Sequence, residues 1–143
     1  MSKVIGFNNA IFWTDDTDIL YCDFSNDDPN LKLDIKNGKA YVDAILTLCD
    51  GNSKPFLIDL SKTCGSFTIS IVKLLARNPK LTNVKVSESY LIDTMGIKLL
   101  IAYYKKLYDP NTTFGIFKDK TLAKKFCQNI DNCINSNMLK LAE

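Results

Sequence analysis

The stretch Pro55-Phe56-Leu57-Ile58-Asp59-Leu60-Ser61 decides the fold. It is a continuous apolar run of strand length, bounded by Asp50-Gly51-Asn52-Ser53 on one side and Lys62-Thr63-Cys64-Gly65 on the other. A strand with one face in water alternates apolar and polar residues. A run without that alternation reads as a central strand, buried on both faces. Asp59, near its carboxyl end, stands out, because a carboxylate there needs hydrogen-bond donors and the following loop can supply them.

Working outward, residues 32–49 predict a helix. Tyr41, Ala44, Ile45, Leu48 and Cys49 recur at three- and four-residue steps, and Gly51 suits a left-handed cap. Gly38 weakens its first half by up to about 1 kcal/mol relative to alanine. Residues 10–24 read as a hairpin, with Ala10-Ile11-Phe12-Trp13 and Ile19-Leu20-Tyr21-Cys22-Asp23-Phe24 around the polar turn Thr14–Asp18. Downstream, Ser66 to Arg77 predicts a helix with Phe67, Ile71, Leu74 and Leu75 on one face and Ser66 as its cap; Asn78-Pro79 ends it. Residues 83–92 hold the next strand. Asp93 or Thr94 then caps a long helix to Tyr108, striped by Ile97, Leu100, Ile101, Tyr104, Leu107 and Tyr108. Leu99 and Tyr103 widen that stripe beyond one face, which points either to burial on two sides or to a dimer contact. Residues 112–117 form a last strand, and Asp119 caps a last helix with Leu122, Ala123, Phe126, Cys127 and Ile130 inward. Residues 131–143 read as a loose helix or a frayed tail. The expected order is ββαβαβαβα. That is one α/β domain over 1–143 with its core in about 10–130, a mixed sheet opened by an N-terminal β-hairpin, and about four helices.

Composition bounds the chemistry. The chain has 143 residues, of which 46% are hydrophobic and 24% charged, as expected of one globular domain. It contains no histidine, which excludes Ser-His-Asp and Cys-His catalysis and histidine-ligated metal. The five cysteines form no C-x-x-C pair, so no metal site is expected. Cys22, Cys49 and Cys127 fall in apolar patterns and read as core, and Cys64 lies in a loop. Residues 1–35 set two lysines against seven aspartates, whereas residues 98–125 set seven lysines against two aspartates. Opposed surfaces of this kind suit a protein partner or self-association, and solvated helix faces with an acidic loop are the simpler reading. Arg77 is the only arginine, and a lysine-based surface is poorly suited to nucleic acid. No apolar run is long enough to span a membrane, and no signal peptide is recognisable, so the cytoplasm is the expected location.

The order of elements and several short motifs resemble the bacterial STAS superfamily, whose SpoIIAA-like fold is that of the anti-sigma-factor antagonist. They resemble in particular the small STAS/SEC14 domain-containing proteins of unknown function. The motifs are the hairpin Trp13-Thr14-Asp15-Asp16 to Leu20-Tyr21-Cys22-Asp23, the strand end Leu57-Ile58-Asp59-Leu60-Ser61, the helix running from Asp93 to Asp109-Pro110, and Phe117-Lys118-Asp119 followed by Ala123-Lys124-Lys125-Phe126. In such antagonists a serine or threonine at the loop–helix junction after the central strand accepts phosphate from a partner kinase. Here that region reads Cys64-Gly65-Ser66-Phe67-Thr68, without the family's Asp-Ser-x-Gly pattern. The resemblance therefore implies a partner-binding surface over Asp59, Ser61, Ser66 and Thr68, with Ser66 or Thr68 as acceptor. Ser66 as a plain cap and Thr68 as a surface residue are the other reading.

The expectation is a non-catalytic regulatory module without cofactor or metal. It would bind a protein, an anti-sigma-type kinase among the candidates, or itself as a homodimer through Leu99, Tyr103 and Tyr104. The alternative is a SEC14-like domain holding a small apolar ligand or lipid, with Phe12, Trp13, Tyr21, Phe67, Tyr103 and Tyr104 lining a cavity. An enzyme has less support, and nucleic-acid binding less again, because no glycine-rich phosphate loop is present and no pair of carboxylates is evident; Asp59 with Lys62 or Glu88 is the nearest candidate.

Overall fold

The computed structural model describes residues 2–128. The C-terminal stretch expected to be a loose helix or tail, together with Ile130 and Cys133, lies outside the described residues. The elements run β1 (Lys3–Gly6), β2 (Ala10–Thr14), β3 (Leu20–Ser25), α1 (Ile35–Cys49), β4 (Lys54–Lys62), α2 (Gly65–Arg77), α3 (Pro79–Thr82), β5 (Lys85–Leu91), α4 (Met95–Tyr108), β6 (Phe114–Phe117) and α5 (Lys120–Gln128). The expected order needs two corrections. A strand precedes the hairpin, and a one-turn helix follows α2. β1 escapes sequence reading because it is four residues long and lies at a sheet edge. Asn78 accounts for α3: it ends α2, and its side-chain oxygen accepts from the Lys80 N–H at 2.9 Å, with Pro79 starting the new turn.

The six strands form one mixed sheet in sequential order, β1 to β6. The first three are antiparallel, and β3 to β6 are parallel. Each parallel connection steps to the next strand in the same direction. Crossovers of one hand then leave their helices on one face. The large core is accordingly built from Phe12, Cys22, Phe56, Ile58 and Tyr90 of the sheet with Tyr41 and Ile45 of α1, Ile71 and Leu75 of α2, and Ile101 of α4. The last helix, α5, takes the opposite face, where Ala123 and Cys127 pack on Ile19, Tyr21 and Leu57. β4 is thus covered on both sides, which is why Phe56, Leu57 and Ile58 are all fully buried.

Two local features shape the surface and the interior. Asp34 caps α1, its Oδ1 accepting from the Asn37 N–H at 2.7 Å, so the helix starts three residues later than its apolar pattern. In β5 the register advances from Lys54↔Lys85 to Pro55↔Ser87, so one extra residue is accommodated there. That bulge breaks the alternation of faces and turns Lys85 to the same side of the sheet as Glu88.

Candidate functional site

The loop–helix junction after β4 is tightly tied. Asp59 is half-buried, and its Oδ1 accepts from the Ser61 N–H at 2.9 Å and the Ser61 hydroxyl at 2.6 Å. Its donors thus come from two residues along the strand rather than from the loop. Asn26 crosses from the preceding loop: its Oδ1 accepts from the Cys64 N–H at 2.8 Å, and its Nδ2 donates to the Cys64 carbonyl at 3.2 Å. The residue flanking α2 is Cys64, which offers no side-chain cap, so Ser66 is not the cap but lies inside the first turn. The Ser66 N–H donates to the Pro29 carbonyl at 3.0 Å. Gly65 makes this approach feasible. It has φ +65, and a Cβ there would sit 2.1 Å from the Pro29 oxygen.

The two hydroxyls of this region differ. Thr68 is 1% exposed and donates to the Thr63 hydroxyl at 2.7 Å, so it is not a surface residue. Ser66 is half-exposed, at the same helical spacing as Ser70, Lys73 and Arg77. Lys73 stacks over the ring of Tyr104 and Arg77 over that of Tyr108, which aligns α2 and α4 in parallel.

The outer side of α4 is bare. Met95 is 64% exposed, Leu99 66%, Tyr103 60% and Leu107 52%, at four-residue steps along one helix. Tyr104 is half-buried against the core. The exposed charge of α4 is cationic, because Lys106 stands beside the stripe and the helix carries no acid. A groove of about 730 Å³ lies between α1 and α2, lined by Leu33, Gly38, Val42 and Leu74 with Lys39, Lys73, Arg77 and Lys80 among its walls. None of the aromatic residues named for a ligand cavity lines the groove between α1 and α2. Phe12, Tyr21 and Phe67 are core, and Trp13 stacks on Tyr21 with ring centroids 3.8 Å apart.

No family model, curated protein or solved structure matches the chain. Its geometry is therefore the ground on which function rests.

One cluster carries no sequence motif. Lys85, Glu88, Lys105 and Asp109 are all buried and form a closed tetrad. Lys85 Nζ lies 3.3 Å from Glu88 Oε2, 2.9 Å from Asp109 Oδ2 and 2.9 Å from the Leu75 carbonyl. Lys105 Nζ bonds Glu88 Oε1 and Asp109 Oδ2. Tyr90 donates to Glu88 Oε2 at 3.0 Å, and Thr112 donates to Asp109 Oδ1 at 2.6 Å. Burial alone would raise the Asp109 carboxyl, but the hydrogen bonds from Lys105, Thr112 and Lys85 outweigh it and hold the group down at about 2. Burial and the neighbouring Glu88 push the Tyr90 phenol well above its usual value, which keeps it a donor. Two cations balance two anions, every side chain is at most 2% exposed, and no substrate can reach the group in this conformation. Its evident role is to fasten α4 to β5 and to the end of α2. The pairing of Asp59 with Glu88 does not occur: Glu88 shares the helical face with Tyr90, whereas Asp59 follows the alternation of Leu57 toward the other face. The signal for the tetrad lay in the helical spacing. Ile97 and Ile101 continue at the same four-residue step to Lys105 and Asp109.

Proposed function

We propose that this chain is a non-catalytic protein-interaction module, and that the outer side of α4 docks a partner protein carrying carboxylates beside an apolar strip. The observation that carries the proposal is the exposed row Met95, Leu99, Tyr103 and Leu107. Contiguous apolar surface of this kind on a soluble chain marks interaction sites. The charge pattern favours a different protein over a second copy. Two copies joined through α4 would bring the exposed ammonium group of Lys106 from both to one apolar contact, whereas an acidic flank neutralises it.

The resemblance to STAS-type antagonists agrees with such a role, and within that reading Ser66 is the phospho-acceptor. A partner kinase would transfer the γ-phosphoryl group of ATP to its hydroxyl. The added negative charge would stand in the first turn of α2, the helix that packs against α4, and repel an acidic partner there. Half-exposed Ser66 is favoured over Thr68, which is buried.

A photo-crosslinking residue at position 103, introduced in the source cells, tests the proposal. One discrete product containing a second protein is expected, with the linked peptide bordered by aspartate or glutamate. Leu99→Glu abolishes it and Ser66→Glu weakens it. A product of twice the chain mass, or none, contradicts the proposal.

A further inference from the structure

We infer that the groove between α1 and α2 is a second docking seat, distinct from the α4 stripe, and that it accepts an acidic amphipathic helix. α2 packs against α4, whereas α1 lies over β2 and β3, and the groove runs between α1 and α2. The floor is apolar, made by Leu33, Val42 and Leu74 around Gly38. Four cations line the walls, Lys39, Lys73, Arg77 and Lys80, against the two carboxylates of Asp34 and Asp43. One of those two is already committed, because Asp34 caps α1. None of the four cations is paired with a carboxylate among the described residues.

Gly38 supplies a second, independent observation. Glycine inside a helix is unfavourable, and nothing in the packing demands it here: a Cβ would meet Leu74 Cδ1 at 3.6 Å and Leu33 Cδ2 at 3.7 Å, both ordinary contacts. The missing side chain leaves helix backbone lining the groove between Leu33 and Leu74. The shape of the groove selects the occupant. Small-molecule pockets enclose most of their ligand, and a groove open along its length does not. A helix that lays apolar residues on the floor and carboxylates against the lysines covers it fully, which is a known mode of peptide recognition.

The test uses a synthetic 15-residue peptide with leucines at i, i+4, i+7 and i+11 and glutamates elsewhere. Its controls are the same peptide with lysines for glutamates, and decanoate. Backbone amide shifts of the labelled protein are followed during titration. Saturable shifts at Gly38, Val42 and Leu74 are expected with the glutamate peptide alone, falling off as salt is raised. Lys39→Glu with Lys80→Glu, both exposed positions, should weaken binding about tenfold or more. Gly38→Trp should abolish it while the unliganded spectrum stays dispersed; if that variant fails to fold, the lysine pair decides. Leu99→Glu should leave the titration unchanged. Absence of binding, equal binding of the lysine peptide, or displacement of the glutamate peptide by decanoate overturns the inference. Shifts confined to Leu99 and Tyr103 also overturn it, while leaving the α4 proposal standing. Failure of the crosslink at position 103 bears on α4 alone.

Discussion

Glu88 and Asp109 each accept from both Lys85 and Lys105, so removing one carboxylate strands two ammonium groups in the interior. Glu88→Gln should cost about 3–5 kcal/mol, the usual penalty for breaking a buried charge cluster from one side. Replacing all four members with apolar residues of similar volume should cost far less, since no orphan charge remains. Urea unfolding of the two variants distinguishes these outcomes, and equal losses would mean that the cluster acts by packing alone. Asp109 also gives the acid response a sign. Its carboxyl lies at about 2 in the folded chain against an ordinary 3.8, so its contribution is complete above the ordinary value and is lost as pH falls through about 2. That contribution is about 2 kcal/mol. The unfolding free energy measured near pH 6 and near pH 2 should fall by at least this much in the parent chain and by less in Asp109→Asn; identical pH slopes would contradict it.

At the scale of elements, two glycines have opposite standing. Gly38 sits within α1 in space that a methyl group fits, so Gly38→Ala should stabilise the fold by about 0.5–1 kcal/mol. Gly65 opens α2 at φ +65 with the Pro29 carbonyl against it, so Gly65→Ala should destabilise by about 2 kcal/mol or more and separate the loops that Asn26 and Pro29 join. Thermal melts of the two variants should therefore shift in opposite directions. The elements themselves were legible wherever periodicity was strong. Phe56–Leu60 reads as an interior strand and Tyr41–Cys49 as a helix face because burial imposes those patterns. Polar residues doing the work of core residues were not legible. Lys105 and Asp109 occupy the inward row of α4, and composition alone assigned them to a basic surface and a helix stop. The bulge that turns Lys85 inward leaves no mark in the sequence, because it depends on register with β4. At the junction, the cap of α2 is Cys64 rather than Ser66, whose N–H is taken by a carbonyl from a loop more than thirty residues earlier; that long-range contact leaves no local signal.

Across the whole molecule, the sheet separates two unlike faces. One carries α5 alone among the described helices, and the other carries α1 to α4. On that second face α2 stands between the two proposed seats: it lends Ser70, Lys73, Leu74 and Arg77 to the groove while Lys73 and Arg77 stack on the tyrosines of α4. The tetrad beneath α4 holds that helix against β5, so its outer stripe is presented on a fixed support rather than on a loose arm. No helix among the described residues is long and apolar enough to cross a membrane, so the exposed apolar row of α4 is not part of a spanning segment. The sharpest measurement compares photo-crosslinkers placed at position 107, on α4, and at position 11, an exposed apolar position on the sheet's other side. A heterologous product is expected from position 107 and none from position 11. A product from position 11 alone, or no product from position 107, would contradict a partner-docking role for α4.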